Sequence, residues 1–280
     1  MRKLSIKCFK EGNMEINNWL KDEWALILGS SSGFGGEVSK KLSEYGVNII
    51  GIHLDRKGTM QNVEEIVQHI EKNDSKAKFY NINAADEQKR KDCLDEIYEL
   101  IGRDDKKIKI LLHSLAFGSL KPYVSNDTQQ NVTQKNMEMT LDVMANSLVY
   151  WTQDIYSRGL FSKNARIYAM SSAGSRKIWP TYGPVSAAKS ALESHIRQIA
   201  VELAPEGITA NSLCAGVTLT PALEKIPGNK EIVDGALKAN PSKRLTLPGD
   251  ISGSIVALSH PGADWITGNV IRIDGGEELS

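Results

Sequence analysis

Short apolar runs alternate along the chain with longer stretches in which apolar residues recur every three or four positions. Such short runs are typical of buried strands, and the periodic stretches are typical of amphipathic helices. Because the two kinds of segment alternate throughout, we expect one α/β domain whose parallel strands form a doubly wound sheet with right-handed crossovers. Strands are predicted over 24–29, 47–53, 77–82, 108–113, 165–171, 208–214 and 269–273, and helices over 34–45, 59–72, 86–101, 135–159, 182–204 and 249–258.

Two stretches depart from this alternation. Residues 1–22 are polar and contain several lysines, so they are predicted to be an N-terminal extension of a domain that spans residues 23–280. Residues 216–245 contain three prolines and few long apolar runs. Irregular sequence of this kind in an α/β domain is usually a functional loop. We therefore expect a substrate lid near 216–245.

Composition limits the classes of partner. A chain of 280 residues suits one large α/β domain, and its formal net charge of 0, without a basic stripe, gives nucleic-acid binding no electrostatic support. Cys8, Cys93 and Cys214 form neither a disulfide framework nor a metal-binding pattern. No apolar run reaches membrane-spanning length, and the N-terminus lacks the apolar core of a signal peptide. We expect a cytoplasmic protein without a metal site.

A glycine-rich turn follows the first predicted strand. Gly29, Gly33 and Gly35 have the spacing Gly-x3-Gly-x-Gly, and an amphipathic helix comes next. Glycines let the backbone approach a pyrophosphate, and a helix N-terminus offers unpaired N–H groups and a positive dipole end. No Gly-Lys-Ser/Thr follows the turn, which excludes a P-loop. A tight turn that binds no ligand is the less favoured alternative to a dinucleotide site. The turn predicts a dinucleotide site of Rossmann type at Gly29, Ser31, Ser32, Gly33, Phe34 and Gly35.

Tyr182 and Lys189 stand seven residues apart at the start of a long predicted helix, just after a serine-rich strand end that includes Ser172. Seven residues make two helical turns, so the two side chains are expected on one face, roughly 10 Å apart along the axis. An ammonium group near a phenol lowers the phenol's pKa, which would make Tyr182 a usable proton donor near neutral pH. A Tyr and a Lys at this spacing are more often packing residues. The glycine turn upstream is the observation that supports a catalytic role for this pair.

These features together resemble the short-chain dehydrogenase/reductase family. They are the glycine turn, the group of Ser172, Tyr182 and Lys189, and the ending Ile-Asp-Gly-Gly at 273–276. The resemblance covers about residues 24–276, nearly the whole chain. It implies a single-domain Rossmann fold and a reductase that uses a nicotinamide dinucleotide.

Within that family, the spacing Tyr-x6-Lys and the strand end His113-Ser-Leu-Ala-Phe are similar to the enoyl-acyl-carrier-protein reductases of bacterial fatty-acid synthesis. Most relatives carry Tyr-x3-Lys and Asn-Asn-Ala-Gly at these places. Here the Tyr-x3-Lys position is Val185, which cannot donate a proton. His113 is a candidate base, but at the end of a buried strand a structural role is favoured.

The resemblance implies the chemistry. Hydride addition to Cβ of an enoyl thioester leaves negative charge on the carbonyl oxygen, which Tyr182 would stabilise by a hydrogen bond. Lys189 would hold the nicotinamide ribose, and Ser172 would either assist the same oxygen or cap the strand end. The substrate would be carried by acyl carrier protein. Two alternatives stay open: a reductase of another carbonyl, steroid or dienoyl-CoA substrate, and a non-catalytic dinucleotide-binding sensor.

Further binding roles and the assembly follow from the same resemblance. A homotetramer built on the fourth and fifth helices is implied, and the fifth helix carries an apolar outer face at Leu192, Ile196, Ile199 and Leu203. The implied contacts are Asn83 and Ala84 with adenine, Leu115 and Ala116 with the nicotinamide ribose, Thr218 and Thr220 with the nicotinamide amide and pyrophosphate, and Gly118 and Tyr182 with the substrate.

The end of the second predicted strand bears on the cofactor's 2′ position. An acidic residue there usually binds the ribose hydroxyls of NAD, but His53 occupies that place and Asp55 lies two residues later. Arg56 and Lys57 follow, and guanidinium and ammonium groups suit a 2′-phosphate. The sequence of this turn favours NADPH as the cofactor, with NADH as the alternative. A charged turn that only faces solvent is the third interpretation.

Overall fold

The computed structural model describes residues 19–279, which form a seven-stranded sheet between two layers of helices. All neighbouring strands pair in parallel, in the order β3-β2-β1-β4-β5-β6-β7. This confirms the predicted single-domain, doubly wound Rossmann fold. The strands are β1 (Trp24–Leu28), β2 (Asn48–His53), β3 (Ala77–Asn81), β4 (Ile108–His113), β5 (Phe161–Ser172), β6 (Thr209–Ala215) and β7 (Val270–Ile273).

The helices divide between the two faces of the sheet according to their apolar stripes. One apolar cluster joins the sheet to α3, α5 and α6, and a second joins it to α1, α2 and α9. Because both faces are covered, the inner strands read as continuous apolar runs, and every residue of β1 is buried. The helices are α1 (Gly33–Ser43), α2 (Met60–Lys72), α3 (Glu87–Ile101), α4 (Gln134–Leu141), α5 (Ser147–Ser157), α6 (Gly183–Leu203), α7 (Pro221–Glu224), α8 (Asn229–Ala239) and α9 (Pro248–Leu258).

The helix predicted over 135–159 is interrupted. A π-helical turn at Asp142–Asn146 separates α4 from α5, and the Ser147 amide donates to the carbonyl oxygen of Asp142. The Ser147 hydroxyl also donates to the carbonyl oxygen of Val143, 2.8 Å away. A side-chain hydrogen bond to the preceding turn competes with regular helical geometry, and local apolar periodicity does not reveal it.

The stretch 216–245 is more regular than expected, because it contains α7 and α8. Pro221 occupies the first turn of α7, where a missing backbone N–H costs nothing. Gly228, in a left-handed conformation with φ of 76°, directly precedes α8. The residues interpreted as breaks therefore delimit two helices. The presence of these helices does not test whether the segment covers a substrate, so the lid stays a prediction.

Two other expectations need correction. Leu192, Ile196, Ile199 and Leu203 belong to the apolar cluster between α6 and the sheet, so they do not form an outer face for assembly. At the N-terminus, Leu20 is only 1% exposed and packs in the core, which places residues 19–22 within the domain. The rest of the predicted extension, with Cys8, lies outside the described residues.

Cys93 and Cys214 are buried free thiols, as expected for incidental small apolar side chains. Between residues 19 and 279, no three His, Cys, Asp or Glu side chains are grouped so that they would hold a metal ion. None of the helices within that range is long and apolar enough to cross a membrane.

Candidate active site

The glycine turn lies at the carboxyl end of β1, where the strand order reverses between β1 and β4. The Gly29 amide donates to the carbonyl oxygen of Ile52, 2.8 Å away in β2. Gly29 has φ of 89°, and a Cβ there would lie 2.6 Å from the carbonyl oxygen of Ser114. A Cβ on Gly35 would lie 2.0 Å from the carbonyl oxygen of Gly29. Only glycine fits these two positions, so the turn brings the backbone of β1, β4 and α1 unusually close together.

The N-terminus of α1 has the properties of an anion site. Its N-cap, Ser32, makes no side-chain capping hydrogen bond, and its first turn carries no acidic residue. The first N–H groups of a helix then stay free to bind a phosphate. Gly33 faces Thr220 across the site, since a Cβ on Gly33 would lie 3.8 Å from the Thr220 methyl group. Ser31 and Phe34 flank these residues in the chain.

The other residues assigned to the cofactor differ in exposure and in the hydrogen bonds that they already make. The Leu115 side chain approaches Gly29, and Ala116 is exposed. Asn83 is exposed, and its side-chain oxygen accepts from the Ala85 amide at 3.1 Å, which leaves the NH₂ group for a ligand. Thr218 is buried, and its hydroxyl donates to the carbonyl oxygen of Gly216. Thr220 caps α7, because its hydroxyl oxygen accepts from the Leu223 amide. The carbonyl oxygen of Ala84 accepts from Trp151 Nε1.

A carboxylate that sequence reasoning left without a role lies beside the nucleotide turn. Asp55 contacts His53 Nδ1 at 3.0 Å. Burial by itself would raise the pKa of Asp55, but hydrogen bonds from Thr59 and Ser31, together with His53, lower it. Asp55 is therefore an anion next to a predicted cofactor-binding residue. Arg56 and Lys57 are exposed, so the two cations outnumber this carboxylate in the same turn.

Lys189 is anchored from inside the domain. It is 6% exposed, and its Nζ donates to the carbonyl oxygen of Met170 at 2.6 Å. Burial lowers the pKa of Lys189 to about 8, although the nearby Glu193 carboxylate opposes this shift. Glu193 is itself buried and accepts a hydrogen bond from the Ser171 hydroxyl at 2.5 Å. The end of β5 thus fixes the side chains of Lys189 and Glu193 in α6.

Tyr182 and Ser172 come together at the start of α6. A Cβ on Gly174 would lie 2.5 Å from Tyr182 Cε1 and 3.2 Å from Ser172 Oγ, so both groups border the same small space. Burial raises the pKa of Tyr182, and the Ser172 hydroxyl only partly offsets this. The expectation that Lys189 lowers this pKa is wrong, because burial of the phenol raises it and the ammonium group is bound to the Met170 carbonyl.

Ser172 does not cap the strand end. It makes no capping hydrogen bond, and its buried Oγ has no hydrogen-bond partner of ordinary geometry within residues 19–279. A buried hydroxyl without a partner costs free energy unless a ligand satisfies it. Of the two roles expected for Ser172, contact with a ligand is the one that this geometry supports.

An apolar wall borders the phenol. Val185 is 5% exposed and packs with Met144 and Ala188, and Tyr182 lies against this cluster. Gly118 adjoins the same cluster, since a Cβ on it would lie 2.8 Å from Met144 Sδ and from a Val185 methyl group. The position at which most relatives carry their acid is here part of an apolar packing cluster.

His113 is a structural residue. It is fully buried, and its Nε2 lies 2.9 Å from the Ser147 hydroxyl at the π-helical turn. Burial lowers the pKa of His113 to about 3, so the ring is neutral at physiological pH and no base faces the site at this position.

Two residues at the site carry no sequence signal. Trp179 lies in the loop between β5 and α6 and donates from Nε1 to the carbonyl oxygen of Pro227 at 3.0 Å. Glu277 accepts from the Val217 amide at 3.1 Å and supports the segment that leads to Thr218. Both contacts join residues far apart in the chain, and neither residue belongs to a periodic pattern or a motif.

The chain is similar to known proteins along most of its length. The family model for Enoyl-(Acyl carrier protein) reductase matches residues 29–278. Trihydroxynaphthalene reductase of Pestalotiopsis fici is 26% identical over 269 residues, covering 91% of this chain and 89% of that protein. Enoyl-acyl-carrier-protein reductase (NADH) of Aquifex aeolicus is 27% identical over 173 residues, covering 61% of this chain and 63% of that protein.

A solved structure bears on the fold alone. The crystal structure of enoyl-acyl-carrier-protein reductase (NADH) from Aquifex aeolicus VF5 superimposes with a TM-score of 0.80 at 22% identity. The superposition covers 94% of this chain and 98% of that one.

Proposed function

The chain belongs to the short-chain dehydrogenase/reductase family of oxidoreductases, and within it we propose an NAD(P)H-dependent enoyl-acyl-carrier-protein reductase. The observation that carries this proposal is the placement of Tyr182 and Val185. Val185, at the position where ketone reductases of the family place their acid, is packed in an apolar cluster. Tyr182, about one helical turn earlier, is the hydroxyl-bearing side chain beside Ser172.

The residues present fit a nicotinamide dinucleotide. The uncapped N-terminus of α1 and the glycine turn suit its pyrophosphate, and Thr220 faces Gly33 from the opposite side. When bound, the cofactor supplies the hydride. Lys189, fixed by Met170, would hold the nicotinamide ribose at the end of β5.

Tyr182 and Ser172 would act on the substrate's carbonyl oxygen. Because burial raises the pKa of Tyr182, the phenol keeps its proton and donates it in a hydrogen bond to the oxygen as negative charge develops there. Ser172 Oγ, buried and without a hydrogen-bond partner of ordinary geometry among residues 19–279, would donate to the same oxygen. The apolar cluster of Met144, Val185 and Ala188 beside Tyr182 would exclude water from the phenol.

NADPH is the cofactor proposed for this chain, on the strength of the turn after β2. Arg56 and Lys57 are exposed and suited to a 2′-phosphate. The Asp55 carboxylate would repel that phosphate, but its hydrogen bonds with His53, Ser31 and Thr59 disperse its charge. NADH is the alternative, in which Asp55 would accept from the ribose hydroxyls.

One assay separates the candidate functions. The purified protein would be given NADPH or NADH with crotonyl thioesters of acyl carrier protein and coenzyme A, and in parallel with a panel of ketones, steroids and dienoyl-CoA. Faster cofactor oxidation with the enoyl thioesters is expected. Oxidation only with the ketones or steroids would overturn the assignment, and cofactor binding without any oxidation would favour a sensor.

Reduction of another carbonyl substrate is a second candidate. It is favoured by one specific finding: the match to trihydroxynaphthalene reductase covers 91% of this chain, whereas the match to the Aquifex enoyl reductase covers 61%. In that case Tyr182 and Ser172 would donate to the substrate's ketone oxygen directly.

A further inference from the structure

The indole of Trp179 joins the predicted lid to the loop that precedes α6. Its Nε1 donates to the carbonyl oxygen of Pro227, 3.0 Å away. A Cβ on Gly228 would lie 3.0 Å from Trp179 Cζ2, so the ring also adjoins the left-handed residue that precedes α8. Pro227 and Gly228 separate α7 from α8, so the indole holds the lid at the junction of its two helices.

The backbone of Trp179 holds the reactive tyrosine. The Tyr182 amide donates to the carbonyl oxygen of Trp179 at 3.2 Å, which closes a turn over residues 179–182. Tyr182 is also the N-cap of α6. The orientation of the phenol therefore depends on this turn at one end and on the fixed helix at the other.

The turn is strained at the residue before the tyrosine. Thr181 has φ of 64°, a left-handed conformation that is rare for a β-branched residue. Its buried Oγ1 has no hydrogen-bond partner within residues 19–279. A residue keeps such a conformation only where its surroundings enforce it. The Trp179 contact with Pro227 restrains this turn from outside it.

The opposite end of the lid touches the nucleotide turn. Thr220 faces Gly33 and begins α7 by accepting from the Leu223 amide at 3.2 Å. The Ile226 amide in turn donates to the carbonyl oxygen of Leu223 at 2.9 Å. Hydrogen bonds thus run from Thr220, which adjoins the nucleotide turn, through α7 to the residue next to Pro227.

We propose that Trp179 is a positioning residue through which the lid, ordered by the cofactor at Gly33 and Thr220, sets the conformation of Tyr182. The inference rests on the proposed function only for what Tyr182 does to the substrate. The coupling itself is a property of the contacts between Thr220, Pro227, Trp179 and Tyr182.

The first test measures amide hydrogen exchange of peptides covering 179–186 and 223–233, with and without NADPH. Protection of both peptides is expected to rise together in the wild-type protein. Trp179→Phe keeps an aromatic ring but removes the N–H donor, and with NADPH bound it should speed exchange in both peptides about two- to tenfold, the effect of one lost hydrogen bond. Trp265→Phe, at a tryptophan that is 98% exposed, is the matched control and should change neither peptide.

The outcomes separate coupling from local packing. Faster exchange in 223–233 alone would show that Trp179 holds the lid without reaching Tyr182, and this would overturn the proposal. Unchanged exchange in both peptides would overturn it as well. These measurements need no turnover, so they stand even if the protein reduces no enoyl thioester, a result that would defeat only the proposed function.

The second test is kinetic. Trp179→Phe should lower kcat for the enoyl thioester about three- to tenfold, because the variant misplaces the donor at Tyr182. Because the cofactor orders the lid that Trp179 holds, the Kd for NADPH should rise as well, by no more than about tenfold. In a Tyr182→Phe background, the same substitution should cause no further loss of kcat, since coupled residues are not additive. Losses that multiply in the double variant would contradict an action through Tyr182.

Discussion

The ammonium group of Lys189 donates a hydrogen bond to the carbonyl oxygen of Met170, 2.6 Å away, from a position that is 6% exposed. The last residues of β5 thereby fix the side chain that the family resemblance assigns to the cofactor's ribose. Burial at this place also makes the charge of Lys189 sensitive to pH near 8.

The stability of the cofactor-free protein should therefore depend on Lys189. Its pKa falls from 10.5 in the unfolded chain to about 8 in the folded protein, so the unfolded chain binds more protons between these values. Stability conferred by the wild-type residue should rise with pH across this window. Lys189→Met should melt at a higher temperature than the wild-type protein at pH 7, and the difference should shrink towards pH 10. A constant difference in melting temperature would contradict the lowered pKa.

Tyr182→Phe should reduce kcat strongly and leave cofactor affinity nearly unchanged. Loss of one positioned donor to a developing oxyanion typically costs about 10²- to 10³-fold in rate. Steady-state kinetics with a crotonyl thioester and a fluorescence titration of NADPH measure the two effects. Tyr156→Phe, at a 46% exposed tyrosine of α5, is the control and should match the wild type. Near-normal turnover of the Tyr182 variant would contradict the assignment of Tyr182 as the donor. Lys189→Ala, by contrast, should lower both the affinity for NADPH and the rate of turnover.

Arg56→Ala combined with Lys57→Ala should raise the KM for NADPH more than the KM for NADH. Charge-assisted hydrogen bonds to a phosphate are each worth about 1.5–3 kcal/mol, and NADH lacks the phosphate that forms them. Asp55→Asn should lower the KM for NADPH, because it removes a charge that repels the phosphate. Lys163→Ala, at an exposed lysine of β5, is the control and should change neither KM. Equal changes for both cofactors would mean that the turn faces only solvent.

Thr181→Gly should stabilise the fold. Glycine adopts a φ of 64° without strain, and relief of this conformation should add about 1 kcal/mol, or about 2–4 °C in melting temperature, after the entropy of the unfolded glycine is subtracted. Asp74→Gly, at a φ of 57°, is the control and should gain less, because aspartate tolerates this region better. An equal gain in both variants would show that Thr181 carries no special strain.

The predicted homotetramer is tested by the mass in solution. The family resemblance is its only support, since the apolar residues of α6 are buried against the sheet. Light scattering should give a mass well above the 30.8 kDa of one chain. A monomeric mass would defeat the assembly prediction.

The sequence by itself determined the order of the seven strands, the helices outside 135–159 and 216–245, and the nucleotide turn. Apolar periodicity depends on which face of an element is buried, and that signal is local. Gly29 and Gly35 were recognisable because only glycine allows so close an approach of backbones. The terminal limits of most elements were also predicted within one or two residues, because strand and helix ends follow the same pattern.

Tertiary structure decided the chemistry of the site. The raised pKa of Tyr182 follows from burial, the hydrogen bond of Lys189 from the position of Met170 in β5, and the proposed role of Trp179 from its contact with Pro227. Each of these effects depends on atoms far away in the chain. Desolvation and long-range hydrogen bonds are set by which elements meet, and local spacing along one helix carries no information about them.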